Sequence, residues 1–267
     1  YGASHIEVQI IADTHSNVLH LFARDCSIQR RNQKVIEEGP AFKISSVQRK
    51  RMWQYAINLV KEIKYVNAGT VEFLAYPSGE MYFLEMNTRL QVEHAVTEMI
   101  TGIDLVELQL RVAAGEPLNL KQSNIIAQGH AIEARIYPED PNTLKPSPGL
   151  ITAFHQPSGE HIRVDSALFN GYEVTQYYEP LMAKLICWGT SRENARIRLN
   201  WALDMFRVEG LLTNIPLIKK IINHPGFISG THHTAFLEEY IAMSKGTPHN
   251  DVHDNKDIDF HELAAII

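Results

Sequence analysis

The stretch GTVEFLAYPSGEMYFLEMNTRLQVEH, residues 69–94, sets carboxylates inside apolar runs. An ionised carboxylate in apolar surroundings costs several kcal/mol unless a positive partner meets it. Taking Pro77-Ser78-Gly79-Glu80 as a tight turn makes the stretch a β-hairpin and sets Glu72 opposite Glu85. Like charges directly opposed destabilise a sheet. The pair therefore calls for a shared proton or a cation between its oxygens. Hard divalent ions such as Mg²⁺ take oxygen ligands, commonly one or two carboxylates together with phosphate oxygens. Asn87, two residues past Glu85, offers a neutral oxygen on the same face.

If the chain stays extended, Arg89, Gln91 and Glu93 also point to the Glu85 side, and Leu84, Met86, Leu90 and Val92 to the other. An arginine fork binds a planar oxyanion in bidentate fashion. Glu93 beside it is placed to act as a base on that anion. The bland alternative is a solvated strand face with cross-strand salt bridges. A one-residue slip would separate the pair. A second cationic group, Arg30, Arg31 and Lys34, could hold phosphates or simply pair with Glu37 and Glu38. His5, taken alone, reads as a structural hydrogen-bonding residue.

The elements that must position these residues follow from periodicity. Residues 5–11 alternate, with His5, Glu7 and Gln9 on one face and Ile6, Val8 and Ile10 on the other. DTHSN (13–17) turns the chain into a strand at 18–22, and a polar strand and loop follow at 24–34. Ser45 or Ser46 caps a helix to about Lys64, with Met52, Ala56, Leu59, Val60 and Ile63 as its apolar face. Another helix runs from an Asp104 cap to Ala114 and is closed by Gly115 and Pro117. GHAIEARIY (129–137) reads as strand, PEDPNTLKPSPG (138–149) as loop, and short strands continue to LMAKLICWG (181–189). Ser191 caps a helix to about Val208, Thr213 one to Asn223, and a last helix covers 234–243. The polar stretch 246–257 reads as a linker. The fold class is α+β, with a domain change near 115–129.

The chain has 267 residues, a net charge of −6, and 45 % hydrophobic residues. That balance fits a globular protein and argues against broad binding of nucleic acid or anionic membrane. No apolar run reaches the roughly 20 residues of a membrane span. Two cysteines, Cys26 and Cys187, make no disulfide framework or metal spacing and read as small buried hydrophobes in a reducing compartment. Both ends read as cut: the chain begins at Tyr1 and stops in a fresh helical pattern, HELAAII.

In this order along the chain, HIEVQIIAD, RDCSIQRRNQK, GTVEFL, FLEMNTRLQVEH, VTEMITGIDLVELQLRVAAGEPL and EDPN-x-x-x-PSPG-x-I resemble biotin carboxylase, the ATP-grasp component of biotin-dependent carboxylases. The likeness runs from about His5 to Tyr240, and EMNTRLQVEH is very specific among ATP-grasp proteins. It implies the C-terminal part of an ATP-grasp antiparallel sheet with helices over 1–115, a mixed biotin carboxylase C-terminal domain over 116–245, and a tail at 246–267. It further implies ATP-dependent carboxylation of biotin, on a carrier protein, with bicarbonate.

By the same resemblance Glu72, Glu85 and Asn87 match ligands of Mg²⁺ or Mn²⁺, and Arg89, Gln91 and the backbone of Val92 match a bicarbonate site. Glu93 matches the base that deprotonates bicarbonate. Arg135 matches the arginine that stabilises the biotin enolate. His5, Gln29, Lys34 and Leu74 match ATP-contacting positions. The implied partners are a biotin carboxyl carrier domain and a carboxyltransferase subunit. The implied home is bacterial cytoplasm or the mitochondrial matrix.

The departures from the family pattern are Ala23, Asn32, Gly39, Ala95, Glu160 and Glu179. Asn32 hints at the propionyl-CoA-carboxylase-like branch, and Glu160 counts against the bacterial homodimer contact. The family's N-terminal domain, its glycine-rich lid and two nucleotide-gripping lysines are expected upstream of Tyr1, so this stretch alone is expected to turn over poorly. The competing readings are another ATP-grasp ligase, such as a carbamoyl-phosphate or D-alanine ligase relative, and a non-catalytic nucleotide-binding module.

Overall fold

A computed structural model describes residues 2–246. The tail and the C-terminal helical pattern lie outside the described residues. The chain order is β1 (Ser4–Ala12), β2 (Val18–Arg30), β3 (Gln33–Gly39), α1 (Ser46–Glu62), β4 (Asn67–Ala75), β5 (Met81–Asn87), α2 (His94–Thr101) and α3 (Leu105–Ala113). It continues through β6 (His130–Ile136), β7 (Gly149–Leu150), β8 (Ala153–His155), β9 (Ile162–Ser166), β10 (Glu173–Val174) and β11 (Ala183–Gly189). It ends with α4 (Arg192–Met205), β12 (Arg207–Glu209), α5 (Ile215–Ile222), α6 (Pro225–Ile228) and α7 (Phe236–Gly246).

Eight strands form one antiparallel sheet in the order β5-β4-β1-β2-β3-β6-β11-β9. The fold is thus α+β, as its sequence pattern predicts. The sheet crosses from the first half of the chain to the second through the β3–β6 pairing, Ile36 to Gly39 against Ala134 to Ala131. Ile6, Val8 and Ile10 of β1 pack with Met52, Ala56 and Val60 of α1. Their neighbours His5, Glu7 and Gln9 alternate to the opposite face, so the apolar and polar sides of β1 are as the periodicity predicts. Every residue of β1 is nevertheless buried. The polar face is covered protein, where the site is built.

Helix α1 is opened by a capping box: Ser45 Oγ accepts from the Gln48 backbone, and the Gln48 side chain accepts from the Ser45 backbone. Ile63, assigned above to its apolar face, is instead the exposed C-cap residue. In the second half, Ile132, Ala134 and Ile136 of β6 and Leu185 and Cys187 of β11 pack with α4 and α5 in the largest apolar cluster. Cys26 and Cys187 are both buried free thiols.

Several local expectations are corrected. The hairpin turn closes one residue earlier than expected, with Tyr76 N–H donating to Glu80 O at 2.9 Å and Gly79 N–H donating to Tyr76 O. That register would pair Phe73 with Phe83, which it does, and then miss Glu85. An irregularity between Glu72 and Phe73 absorbs Leu84 as an extra residue and restores Glu72 opposite Glu85. The extended run expected to continue to Glu93 stops at Asn87. Residues 88–93 turn, and α2, which the sequence reading missed, begins at His94. Helix α4 ends at Met205, because 207–209 pair with β8 as a strand. Asn214, not Thr213, is the N-cap of α5.

Candidate active site

A cleft of about 850 Å³ opens on the polar face of the sheet. Its walls include His5, Gln29, Lys34, Glu72, Leu74, Glu85, Asn87, Arg89, Gln91, Val92, Glu93 and Arg135, but of the cationic group Arg30, Arg31 and Lys34 only Lys34 lines it. Strands β1 to β5 supply the first seven of these, the turn after β5 the next four, and β6 contributes Arg135.

Glu72 is the hub. One carboxylate oxygen, Oε1, accepts from Asn87 Nδ2 at 2.8 Å, from Gln91 Nε2 at 2.9 Å, and from Lys34 Nζ at 3.4 Å. The other lies 2.7 Å from His5 Nε2. Gln29 holds the far side of that ring, Nε2 to Nδ1, at 2.5 Å. Burial opposes ionisation of Glu72, but the His5 hydrogen bond and the Lys34 charge outweigh it and hold its carboxyl at about 2. Burial likewise disfavours charged His5, and the bond to Glu72 with the charge of Glu7 more than offsets that, raising its pKa.

Asn87 Nδ2 also donates to Glu85 Oε1 at 3.3 Å. One small donor is thus within reach of an oxygen of each opposed carboxylate. Rotation of the amide puts its own oxygen at the same point. Two carboxylates and an amide oxygen at the mouth of a polar cleft match the ligand chemistry of a hard divalent cation, so these residues fit such an ion. Arg89 lines the cleft and donates from Nη2 to Asn87 Oδ1 at 3.2 Å and from Nη1 to Leu90 O at 3.4 Å.

Glu93 is clamped between two cations. Lys34 Nζ donates to Oε1 at 2.6 Å and Arg135 Nη2 to Oε2 at 2.9 Å. Burial pushes its pKa up, but the charges of Lys34, Arg24 and Arg135 prevail and hold it well below the usual carboxylate range. Lys34 also pairs with Glu7. The basic cluster therefore does not pair with Glu37 and Glu38 as one of its readings had it. Arg30 pairs with Glu139, Glu37 with Arg135, and Glu38 with His130 and Arg192.

Sequence reasoning missed what lies beneath. Arg24 is fully buried, donating from Nη1 to Gln9 Oε1 and Thr97 Oγ1, both at 2.8 Å. From Nη2 it donates to Gln91 Oε1 at 3.0 Å and to Glu7 Oε2 at 3.4 Å. It therefore aims Gln91, whose amide then reaches Glu72. Leu84, brought over by the irregularity in β5, and Tyr137 also line the cleft. Alternation within β1 and β2 was the available signal for Glu7 and Arg24. It was read as a polar face without the covering that makes it a site.

Residues 1–121 match the family model for the carbamoyl-phosphate synthase L chain ATP-binding domain, and residues 133–239 match that for the biotin carboxylase C-terminal domain. The chain is 53 % identical over 242 residues to a biotin carboxylase of Halalkalibacterium halodurans, covering 91 % of this chain and 54 % of that protein. Over most of its length the chain is similar to biotin carboxylases. It spans about half the length of the biotin carboxylases it matches.

Similarity extends to the mouse mitochondrial methylcrotonoyl-CoA carboxylase subunit alpha, 46 % identical over 88 % of this chain and 33 % of that one. Among solved structures, the biotin carboxylase domain dimer of 2-oxoglutarate carboxylase from Hydrogenobacter thermophilus, in complex with MgADP, ADP and bicarbonate, superimposes with a TM-score of 0.87 at 46 % identity. That match covers 90 % of this chain and 53 % of the other. A Campylobacter jejuni biotin carboxylase in an ATP-analogue complex gives the same TM-score at 42 % identity, over 90 % of this chain and 53 % of the other. The match to a biotin carboxylase C-terminal domain favours this likeness over the other ATP-grasp ligases considered above. Among the described residues no helix is long and apolar enough to cross a membrane.

Two family departures acquire local meaning. Asn32 sits with Arg31 at positive φ in the β2–β3 turn, a left-handed position that asparagine tolerates better than most residues. Gly39 faces α2 so closely that a Cβ there would meet Val96 Cγ1 at 2.9 Å.

Proposed function

We propose that this chain is the C-terminal half of a biotin carboxylase in a biotin-dependent acyl-CoA carboxylase, and that its cleft carboxylates biotin using ATP and bicarbonate. The proposed parts are residues 1–115, completing the ATP-grasp sheet, residues 116–245, the C-terminal domain, and a tail from 246. The observation that carries the reading is the convergence of Glu72, Glu85, Asn87, Glu93, Lys34 and Arg135 on one cleft, with Lys34 bridging the Glu72 of the opposed carboxylate pair to the doubly clamped Glu93.

In this reading Glu72, Glu85 and Asn87 would hold Mg²⁺ or Mn²⁺. When bound, the ion supplies charge neutralisation for the ATP phosphates. Leu74 and Leu84 offer apolar contacts to the nucleotide, and His5, Gln29 and Lys34 offer polar ones. Arg89, Gln91 and the Val92 backbone take bicarbonate. Glu93 accepts the bicarbonate proton, and the freed oxygen attacks the γ-phosphorus, giving carboxyphosphate and ADP. Breakdown of carboxyphosphate yields CO₂ and a phosphate that removes the biotin ring N–H proton. The resulting enolate, stabilised by Arg135, attacks the CO₂ through the ring nitrogen to give carboxybiotin.

The electrostatics add a condition. Glu93 clamped by Lys34 and Arg135 is a poor base, because both cations favour its ionised form. Incoming phosphate and bicarbonate compete for those cations. Their departure raises the basicity of Glu93 only once substrates are in place, which limits idle reaction. The biotin would arrive on a carrier domain and leave for a carboxyltransferase.

The test is phosphate release from ATP by the full-length protein, with bicarbonate and free biotin supplied or withheld. Release that depends on bicarbonate and falls by about 10²-fold or more in Glu93→Gln is expected. Release indifferent to bicarbonate would overturn the reading.

A further inference from the structure

Arg135 has two carboxylate partners, and the proposed function uses only one. If Arg135 Nη2 must let go of Glu93 for substrate to enter, something else has to keep the guanidinium in place. Arg135 Nε donates to Glu37 Oε1 at 2.5 Å. Glu37 lies on β3, has no exposed surface, and stands in register opposite Glu133 of β6. Glu133 is equally inaccessible and lies two residues before Arg135 on the same strand face. Glu37 Oε2 and both oxygens of Glu133 have no hydrogen-bond partner among the described residues.

Two buried carboxyl groups opposed across adjacent strands cannot both be ionised cheaply. The cation nearest in register is Lys184 of β11, opposite Arg135. Its Nζ is engaged by Val92 O at 2.8 Å and by Asp165 at 3.0 Å. The charged groups acting on Glu133 are Glu37, Lys184, Arg135 and Glu93. Of α2, Ala95, Val96 and Ile100 pack on this part of the sheet, and its charged Glu98 is paired with Arg163 of β9. With Arg135 favouring ionised Glu37, the proton belongs on Glu133, where it also gives the orphaned Glu37 Oε2 a donor.

We propose that Glu37 and Glu133 form a buried acid pair sharing one proton, and that Glu37 is the positioning residue that fixes Arg135 while the arginine exchanges Glu93 for substrate. Glu133 is the neutral support of that anchor. Consistent with this, burial and then the Glu37 charge raise the pKa of Glu133 well above its ordinary value. The part concerning substrate rests on the function proposed above, whereas the shared proton does not.

The experiment has two arms on the full-length protein. Infrared difference spectra between wild type and Glu133→Gln at neutral pH should contain the C=O stretch of a protonated carboxyl, present in wild type and missing from the variant. No such band, or one that survives the substitution, overturns the shared proton. Kinetically, Glu133→Gln keeps a donor toward Glu37 and should hold biotin-dependent turnover within about twofold of wild type. Glu37→Gln should lower kcat for free biotin by about tenfold to a hundredfold. The same variant should leave the biotin-independent, bicarbonate-dependent ATPase nearly unchanged. Equal losses in both reactions would mark Glu37 as merely structural and overturn the positioning role, as would an unchanged kcat. A wild type without any bicarbonate-dependent ATPase would instead sink the proposed function and leave the infrared arm standing.

Discussion

Arg24 illustrates what single residues do here. Its guanidinium is buried beneath the site and hydrogen-bonded to Gln9, Thr97, Gln91 and Glu7, and it is linked to the Glu72 hub through Gln91 and through Glu7 and Lys34. Removing one partner of a buried ion pair leaves an uncompensated charge, which typically costs about 3–5 kcal/mol. Arg24→Met, close in length but uncharged, should therefore lower the unfolding free energy by that order, read from urea denaturation. A loss of only a few tenths would mean that Glu7 finds its counter-charge wholly in Lys34. The residues from Glu72 to Glu93 were legible because one run of sequence carries them, whereas His5, Gln29, Lys34 and Arg135 were assigned to the site through the family resemblance. Glu7, Arg24 and Glu37 were not legible, because a charged residue in an alternating strand reads as solvent-facing. Only their burial in the folded chain, where Glu7, Arg24 and Glu37 have no exposed surface, reveals that this polar face is covered.

At the scale of elements the hairpin β4–β5 is the instructive case. Its carboxylate pairing was legible, but by a route the chain does not take. The three-residue loop shifts the register by one, and the extra residue Leu84 shifts it back. Deleting Leu84 should leave the turn's own register running to the end of the strand, with Phe73 opposite Phe83 and Glu72 still opposite Glu85. The cleft would lose one apolar wall. A crystal structure of the deletion variant checks this, and Glu85 on the other face of the sheet would refute it. Helix α2 was missed because the period-two pattern through Asn87 continues in the types of Arg89, Gln91 and Glu93. Their side chains still reach the cleft, although the backbone there is a turn rather than a strand.

At the scale of the molecule, one sheet joins the segments matched by two family models, so the cleft is assembled from both. Arg135 on β6 meets Glu37 on β3 and Glu93 beyond β5, and Arg192 at the start of α4 holds Glu38. The net charge of −6 gives no hint of this, since the cations that matter are few and are gathered at one place. Fold class was legible from periodicity. The single sheet was not, because pairing between β3 and β6, about a hundred residues apart, leaves no local signature. In the function proposed above, Glu72 and Glu85 hold one divalent ion against a nucleotide. Calorimetric titration of the full-length protein with ADP, with and without Mn²⁺, tests it most directly, comparing wild type with Glu85→Gln. Mn²⁺ should tighten ADP binding to the wild type and lose about tenfold or more of that effect in the variant, while metal-free ADP should bind both alike. An equal Mn²⁺ effect in the two proteins would contradict it.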